Sequence, residues 1–501
     1  MIGVRLGVDL GATFNLVGGL VKYLSLAPLA PAVVAAGYGE SPLPFLLATG
    51  IGFLCAWFVE RIAQGKRQVG IREGFLVVSL TWLLAAVIGA LPYWLTADPQ
   101  FRNPINCYFE AMSGFTTTGA TIVTDVEGLP HGLQIWRQLT QWLGGMGIIV
   151  LALAVLPRLR VGGRQLLESE LPGPEIEEMT LRIRDTAQRL WLLYIALTAV
   201  MVTALTAIAW TGLDSAMSFY EAVAHAFTTL PTGGFSTGAR SLGEFGAASQ
   251  WVIAFFMVVA GVNFALMYRA FFRRQPRVFV RDEELRLYLA LLAAGSLLLM
   301  VELWTEGVLR GEAAIRHSVV NAVSLMTGTG YASVDFNEWP LLAAIVIVAL
   351  MFVGGSAGST TGSVKVVRHL LMARILRREL DQTVHPEAIS RIHLNRRPVD
   401  ERILRAVSSF VLLYVGVFAA GTLLLVIDAA RVDSELRLLD AIAAAAATLG
   451  NVGPAFGFAG PMGSYEPFSG FSKVVLIVLM WVGRLEIIPV AVLLTRSYWR
   501  I

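Results

Sequence analysis

The 501-residue sequence contains unusually few charged residues. Only 15% of them are charged, 56% are hydrophobic, and the mean hydropathy is +0.66. Soluble domains have about 25% charged and about 45–50% apolar residues. The scarcity of charge therefore excludes an ordinary soluble protein. Apolar runs such as 76–92 and 251–266 indicate helices that cross a membrane, and we predict roughly eleven or twelve such spans.

Side chains that bind metals or form disulfides are also scarce. The two cysteines, Cys55 and Cys107, lie in different apolar stretches, so no disulfide is expected. The six histidines are scattered without the spacing of metal ligands, which argues against a zinc site. A membrane-embedded enzyme needs paired Asp, His–Glu or Ser–Lys groups inside its spans, and no such set occurs here. We predict that the chain is not an enzyme.

Lysine and arginine are distributed unevenly along the chain. Segments 61–72, 157–189, 268–287 and 365–405 contain 26 of them. Segments 95–136, 211–249, 305–339 and 429–472 contain only 6. Cytoplasmic loops of membrane proteins collect Lys and Arg, so the first set is predicted to face the cytoplasm and the second to face outward. This placement explains the basic clusters, and no nucleic-acid partner is expected.

Four short apolar stretches recur in the outward segments, at 106–115, 218–230, 318–326 and 440–449. Each is too short to cross a bilayer, and each is followed by a turn of small residues. The turns are Thr117-Thr118-Gly119, Thr232-Gly233-Gly234, Gly328-Thr329-Gly330 and Asn451-Val452-Gly453. Their last glycine recurs about every 100–120 residues, which indicates four repeats of one structural unit.

The predicted fold is an all-α integral membrane protein with four membrane–pore–membrane repeats around a central pore, preceded by an N-terminal two-helix hairpin. The predicted boundaries are 1–70 for the hairpin and 71–165, 166–275, 276–385 and 386–501 for the repeats. A secondary transporter with inverted repeats is the main alternative. It predicts basic loops that alternate between the two sides, whereas the basic loops here flank every repeat on one side.

The turns have the residue types that an ion filter requires. Glycine permits positive φ and close approach of backbones. With threonine, it allows successive carbonyl oxygens to point inward and replace the hydration shell of an ion. The short helices before the turns direct their partially negative C-terminal ends toward the same centre, which favours a cation. We therefore predict that the twelve turn residues bind a monovalent cation.

On these motifs the chain resembles the Trk/Ktr/HKT superfamily of potassium transporters, most closely the bacterial TrkH type. The similar segments are 109–121, 141–147, 233–237 and 451–454. The resemblance implies potassium uptake across the bacterial cytoplasmic membrane, with K⁺ as the transported ion and no covalently bound cofactor. Pro231 before the second turn and the departure of 328–331 from the TVGYG pattern leave open the choice between K⁺ and Na⁺. Passive transport and symport also both remain open.

The resemblance further implies a gate below the filter. The run 354–365 interrupts the second helix of repeat three and is similar to a flexible intramembrane loop of the family. Its predicted gating residues are Gly354, Gly355, Gly358, Ser359, Thr360, Thr361, Gly362 and Lys365. Family members usually have a glycine pair near Gly362, so a stiffer loop is expected here. Arg484 corresponds to the pore arginine of the family, and the structural alternatives are an ion pair with Glu486 or a side chain that extends to the inner face.

Two protein partners are also implied by the resemblance. One is a cytosolic, nucleotide-binding regulatory subunit of the TrkA type, and the other is a second copy of the chain in a homodimer. The long basic segment 368–405 is the predicted docking region for the regulatory subunit.

Overall fold

In a computed structural model of the chain, the described residues are 8–63, 70–154, 176–387 and 390–500, and they are almost entirely helical. Within these ranges, six helices are long and apolar enough to cross a membrane, or seven when one bent pair counts as a single span. This confirms the predicted all-α membrane fold. The number of long spans is smaller than eleven or twelve because several helices are interrupted at membrane depth.

In chain order, the helices are α1 (Leu10–Leu24), α2 (Leu29–Gly37), α3 (Leu43–Ile62), α4 (Ile71–Leu95), α5 (Pro104–Phe115), α6 (His131–Ala154), α7 (Ile176–Thr211), α8 (Phe219–Thr229), α9 (Ala247–Ala260), α10 (Phe264–Phe271), α11 (Arg277–Arg281), α12 (Glu283–Thr305), α13 (Gly311–Met326), α14 (Leu341–Met351), α15 (Val366–Val384), α16 (Glu401–Val432), α17 (Leu438–Leu449), α18 (Gly470–Arg484), α19 (Ile488–Leu493) and α20 (Arg496–Trp499). Two short antiparallel strands, β1 (His393–Leu394) and β2 (Arg397–Pro398), form a hairpin between α15 and α16.

The N-terminal hairpin is anchored to the first repeat by Glu40. The Glu40 carboxylate accepts hydrogen bonds from the backbone N–H groups of His131 (2.7 Å) and Gly132 (2.9 Å), at the start of α6. Burial alone would raise the pKa of the Glu40 carboxyl, but the hydrogen bonds from Gly132 and His131 hold this pKa below its usual value. The carboxylate therefore also serves as a cap for the N-terminus of α6.

Each repeat has the order long first helix, short half-helix, turn and second helix. The half-helices are α5, α8, α13 and α17, and the turns that follow them are the four small-residue turns of the sequence. The third half-helix begins at Gly311, seven residues before the predicted start at 318. An ion pair between Glu312 and Arg316, one helical turn apart (2.8 Å), extends the helix through this polar segment.

The second helices of repeats two, three and four are interrupted. Helices α9 and α10 meet at an angle of 98° around Gly261 and Asn263. Helix α14 has eleven residues and is followed by the loop 352–365 before α15 begins. Helix α18 ends at Arg484, and Glu486 and Ile487 have positive φ before α19. The sequence predicted an interruption in repeat three; those in repeats two and four were missed.

Three of the four predicted boundaries between the hairpin and the repeats can be located relative to the helices. Boundary 70/71 precedes α4, boundary 275/276 lies between α10 and α11, and boundary 385/386 follows α15. Boundary 165/166 lies outside the described residues.

Candidate ion-binding site

All four turns have the same backbone conformation. Their first residues have positive φ: Thr117 (51°), Thr232 (56°), Gly328 (70°) and Asn451 (53°). Their third residues also do: Gly119 (80°), Gly234 (78°), Gly330 (81°) and Gly453 (103°). The middle residue does not, and this alternation turns successive carbonyl groups toward one side of the chain. Positive φ is strained for β-branched threonine, and strain of this kind is typical of functional sites.

The four turns contact one another in a closed ring. A methyl group on Gly119 would come within 2.2 Å of the carbonyl oxygen of Gly233 in the next turn. The corresponding distances are 1.9 Å from Gly234 to Thr329, 1.9 Å from Gly330 to Val452, and 2.6 Å from Gly453 back to Thr118. Each third-position glycine therefore lies against the middle carbonyl of its neighbour, in the order one, two, three, four, one. No side chain larger than hydrogen fits without displacing that neighbour.

Each turn is attached to its own half-helix by one recurring hydrogen bond. The middle N–H donates to a carbonyl five residues earlier, in the last helical turn. The pairs are Thr118 to Ser113 (2.9 Å), Gly233 to Thr228 (2.8 Å), Thr329 to Ser324 (2.8 Å) and Val452 to Ala447 (2.7 Å). This bond satisfies a carbonyl that the end of a helix would otherwise leave free. It also fixes the turn directly at the negative end of the half-helix.

A cavity of about 330 Å³ opens on one side of the ring. All four third-position glycines line it, together with residues that follow the turns, such as Thr121, Ser236 and Tyr465. By the predicted orientation this side faces outward. The cavity therefore forms an entrance that reaches all four turns at once.

Behind three of the turns lie polar side chains that the sequence analysis did not identify. Glu110, His225 and Asn321 occupy the position seven residues before the first residue of their turns. Glu110 forms a fully buried ion pair with Arg137 (2.8 Å) and accepts a hydrogen bond from the N–H of Ile122 (3.0 Å). The recurrence of a polar residue seven positions before each of these three turns is the sequence signal by which all three could have been identified.

The side chains of His225 and Asn321 brace the turns of repeats two and three in a corresponding way. The His225 Nε2 atom lies 3.3 Å from the Ser236 hydroxyl, and the Asn321 amide donates to the Ser333 hydroxyl (2.9 Å). In each of these three repeats, a half-helix side chain thus contacts the segment that follows its turn. The fourth repeat has Ala444 at the same position.

The turn of repeat two is held differently from the others. The Gln141 side chain donates to the carbonyl oxygen of Gly233 (2.7 Å) and accepts from the N–H of Phe235 (3.1 Å). Gln141 belongs to α6 in repeat one, so this amide connects two repeats. The side chain of Asn451 makes a second connection between repeats, because it donates to the Thr118 hydroxyl (3.0 Å).

The intramembrane loop lies against the inner ends of the turns. The Thr360 hydroxyl donates to the carbonyl of Leu230 (2.9 Å), two residues before the second turn. The Ser363 hydroxyl lies within hydrogen-bond distance of the carbonyls of Met351 (2.5 Å) and of Gly450 (3.1 Å), the second of which immediately precedes the fourth turn. A methyl group on Gly362 would come within 2.1 Å of the same Gly450 carbonyl. The loop thus covers the face of the ring opposite the 330 Å³ cavity.

Inside the loop, Thr361 organises the predicted gating residues. Its hydroxyl accepts hydrogen bonds from the N–H of Gly355 (3.1 Å) and from the Lys365 ammonium (3.0 Å), and it lies 2.8 Å from the Ser359 hydroxyl. Gly354 and Gly358 both have a φ of 72°, which glycine adopts readily. The loop is therefore a folded segment with its own hydrogen bonds.

Two backbone contacts fix the loop to repeat two, and a carboxylate holds it to the first helix of its own repeat. The N–H of Ser356 donates to the carbonyl of Gly261 (2.9 Å), and the N–H of Phe264 donates to the carbonyl of Gly358 (3.1 Å). Both partners lie at the bend between α9 and α10. The buried Glu284 carboxylate, at the start of α12, accepts from the N–H groups of Ala357 (2.6 Å) and Val367 (3.2 Å). Sequence analysis did not identify Glu284.

Arg484 is buried beneath the ring and contacts the loop. Its guanidinium donates to the carbonyls of Thr360 (2.9 Å) and Gly144 (3.4 Å). Glu486 contacts Arg368 instead, and within the described residues no ion pair joins Arg484 to Glu486. The arrangement thus places one buried cation between the loop and the second helix of repeat one.

Comparison with known proteins agrees with this architecture. The TrkH family, described as "Cation transport protein", matches residues 47–500. The Trk system potassium uptake protein TrkH of Escherichia coli (strain K12) is 36% identical over 497 residues, covering 98% of this chain and 99% of that protein. The protein of the same name from Halomonas elongata is 34% identical over 498 residues, covering 98% of this chain and 100% of that protein.

A solved structure is also similar over nearly the full length. The crystal structure of the potassium transporter TrkH from Vibrio parahaemolyticus has a TM-score of 0.87 and 32% sequence identity, covering 98% of this chain and 100% of that one. These matches confirm the predicted family, and the expectation of a transport protein rather than an enzyme. The chain is a multi-pass protein of the cytoplasmic membrane and belongs to the TrkH family of cation transport proteins.

Proposed function

We propose that this chain takes up potassium through a pore whose selectivity filter is the ring of four turns. The observation that carries the proposal is the cyclic contact of each third-position glycine with the middle carbonyl of the next turn. Four turns with alternating φ, closed around one centre, give stacked carbonyl oxygens that can replace the hydration shell of K⁺. The names of relatives from Escherichia coli and Halomonas elongata, which are potassium uptake proteins, support the same ion.

The proposed ion-binding residues are the twelve turn residues predicted from the sequence. The negative ends of four half-helices meet at this ring and lower the energy of a cation there. The Gly233 carbonyl already accepts a hydrogen bond from Gln141. The turn of repeat two therefore departs most from the fourfold symmetry of the ring. The buried braces Glu110, His225 and Asn321 hold the exits of three turns and keep the ring at a fixed size.

The loop 354–365 and Arg484 act as the gate in this proposal. The hydroxyls of Thr360 and Ser363 cap two carbonyls at the inner end of the ring, so the loop obstructs the path of an ion toward the cytoplasm. Arg484 holds the loop through the Thr360 carbonyl and adds positive charge below the filter. Release of these contacts opens the path.

A TrkA-type regulatory subunit controls this gate in the proposal, and two chains assemble as a homodimer. The support for the subunit is that the loop continues directly into α15, which begins the basic segment 368–405 on the cytoplasmic side. A pull on α15 would be transmitted to Lys365 and the loop. The boundaries 70/71, 165/166, 275/276 and 385/386 are proposed as the limits of the hairpin and the repeats.

The experiment is complementation followed by flux measurement. Expression of the chain should restore growth at limiting potassium in cells that lack their own uptake systems. Purified protein in liposomes should then take up Rb⁺, a K⁺ substitute, and excess K⁺ should compete more strongly than excess Na⁺. Uptake with and without an imposed proton gradient separates passive transport from symport. Failure to restore growth, or equal competition by K⁺ and Na⁺, would contradict the proposed filter.

A further inference from the structure

An arginine-rich cavity lies at the cytoplasmic end of α12, away from the ion pathway. Its volume is about 1410 Å³, and its walls come from the connection between α10 and α12 and from the hairpin of β1 and β2. Seven arginines line it, among them Arg277, Arg281 and Arg396, against two carboxylates, Asp282 and Glu283. Neither the proposed filter nor the proposed gate uses this cavity.

The two carboxylates are already engaged with other partners. Asp282 accepts hydrogen bonds from the N–H of Leu285 (2.8 Å) and the Asn395 amide (3.0 Å). Glu283 forms an ion pair with Arg374 (2.6 Å), which is not part of the cavity wall. They are therefore poorly placed to neutralise Arg277, Arg281 and Arg396.

Three of the arginines, in contrast, have their charges available. Arg277, Arg281 and Arg396 are exposed, and within the described ranges none of their side chains forms an ion pair. Several guanidinium groups around one cavity repel one another and create a strong positive potential. The fork of donors on a guanidinium matches the oxygens of a phosphate group. The cavity thus has the chemistry of a site for a phosphate-bearing anion.

The position of the cavity favours a lipid over a soluble molecule as the source of this anion. Helix α12 is a membrane span and begins at Glu283, so the cavity lies at the membrane–water interface. Beside it, Phe271, Phe272 and Val280 are exposed by 63%, 53% and 75%. Exposed apolar side chains next to a basic site fit acyl chains below a headgroup. Basic pockets at the cytoplasmic ends of transmembrane helices are known to bind anionic headgroups.

We propose that this cavity binds the headgroup of an anionic phospholipid from the cytoplasmic leaflet. Arg277, Arg281 and Arg396 contact the phosphate, and Phe271, Phe272 and Val280 contact the acyl chains. A soluble nucleotide would use the arginines but would leave the apolar side chains in water. Because the loop 352–365 leads into α15 and α15 is paired with Glu283 through Arg374, an occupied site also supports the segment below the proposed gate.

The test uses the full chain in neutral detergent, with native mass spectrometry to count bound lipids. Phosphatidylglycerol is compared with phosphatidylcholine of the same acyl chains. The triple variant Arg277→Gln, Arg281→Gln, Arg396→Gln should bind phosphatidylglycerol at least about tenfold more weakly, since each basic residue near an anionic surface contributes to affinity. The matched control is Arg391→Gln, Arg402→Gln, Arg405→Gln. It removes the same charge from exposed arginines of the same face that do not line the cavity.

Three outcomes would overturn the proposal. One is an equal loss of phosphatidylglycerol in the variant and the control, which would indicate only general attraction to the basic face. Another is equal retention of phosphatidylcholine and phosphatidylglycerol by the unmodified chain. The third is displacement of the lipid by ATP or by an acidic peptide at concentrations below that of the lipid, which would identify a soluble ligand or a protein partner. If the glutamine variant does not fold, the triple lysine variant keeps the charge but loses the paired donors, and it should bind a few-fold more weakly.

Discussion

The ring of turns and the intramembrane loop have similar residue types but are held in different ways. Each turn is fixed to its half-helix by a backbone hydrogen bond and to its neighbour by direct backbone contact. The loop occurs in one repeat, and its hydrogen bonds to the ring come from the side chains of Thr360 and Ser363, while Arg484 holds the loop from below through the Thr360 carbonyl. Because the backbones of neighbouring turns are in direct contact, the ring is held at one size. Side-chain contacts can be broken one at a time.

The energies of these contacts lead to the same distinction. A hydrogen bond adds about 0.5–1.5 kcal/mol to stability, and about 1.5–3 kcal/mol when one partner is charged. The loop is therefore held against the ring by a few kcal/mol, which the binding of a regulatory protein can supply. The turns of the ring cannot be separated in the same stepwise way, because displacement of one turn requires its neighbours to move. This suits a fixed filter above a movable gate.

The largest effect is expected from a substitution in the ring, Gly330→Ala. The added methyl group would lie 1.9 Å from the carbonyl oxygen of Val452, and φ at this residue is 81°. Since both partners are backbone atoms, the neighbouring turn must shift. We expect Rb⁺ uptake in liposomes to fall by at least about a hundredfold, or the remaining flux to lose its preference for K⁺ over Na⁺.

The matched control for this substitution is Gly416→Ala in α16. No atom of the described residues lies within 4 Å of the position that its methyl group would occupy, so uptake should stay at the unmodified level. Normal selective transport by Gly330→Ala would show that this glycine is not part of the ion path, and the proposed filter would then be wrong.

The sequence was sufficient to predict the ring because its signals are local and repeated. Gly119, Gly234, Gly330 and Gly453 follow similar apolar stretches at similar intervals, and backbone conformation depends directly on such glycines. The strained φ at Thr117 and Thr232 was not predictable, since threonine carries no preference for that region. The partner of each glycine in the next repeat depends on the closed arrangement, which only the structure shows.

The supports of the loop were less predictable than the loop itself. The run of glycine and serine at 354–363 marked the interruption, but Glu284 lies about 70 residues earlier in the chain. The bend between α9 and α10 had a weak signal, a glycine followed two residues later by Asn263. The Asn263 side chain caps α10 by accepting from the N–H groups of Ala265 (2.8 Å) and Leu266 (3.1 Å). Long-range contacts of this kind leave no periodic pattern.

The next largest effect should come from the double variant Thr360→Val, Ser363→Ala. It removes the two hydroxyls that cap the Leu230 and Gly450 carbonyls, while the shape of the loop changes little. Two hydrogen bonds of about 1 kcal/mol each shift the closed–open equilibrium by up to about thirtyfold. Basal Rb⁺ flux without a regulatory subunit should rise accordingly, and the preference for K⁺ over Na⁺ should not change.

Thr422→Val is the control for a lost hydroxyl inside the membrane, because its hydrogen bond goes to the Phe418 carbonyl (3.0 Å) of its own helix and not to the loop. Flux through this variant should equal that of the unmodified chain. Loss of selectivity in the double variant, with unchanged basal flux, would mean that the loop belongs to the filter rather than to the gate.

A smaller effect is expected from Arg484→Gln. The variant removes the buried positive charge and weakens the contact with the Thr360 carbonyl, but the glutamine amide can still donate to it. We expect basal flux to rise by about tenfold, in line with the loss of one charged hydrogen bond. Arg484→Lys keeps the charge and should raise flux much less. Equal flux through all three proteins would exclude Arg484 from both the ion path and the gate.

The smallest effect should follow Glu284→Gln, which tests whether the loop is also held from the side away from the ring. One oxygen of the Glu284 carboxylate accepts from the N–H groups of Ala357, within the loop, and Val367, just after it, and the amide oxygen of glutamine can keep both bonds only without the negative charge. The weaker bonds should raise basal flux by about threefold while leaving K⁺ preference intact. Glu302→Gln, in the same helix α12 but without a hydrogen bond to the loop, serves as the control and should not change flux.

Hydrogen exchange provides a second measurement, since the amides of Ala357 and Val367 should exchange faster in Glu284→Gln than in the control. Unchanged exchange at both amides would show that the start of α12 does not support the loop, so that the loop would depend on the ring, Arg484 and the bend of repeat two alone.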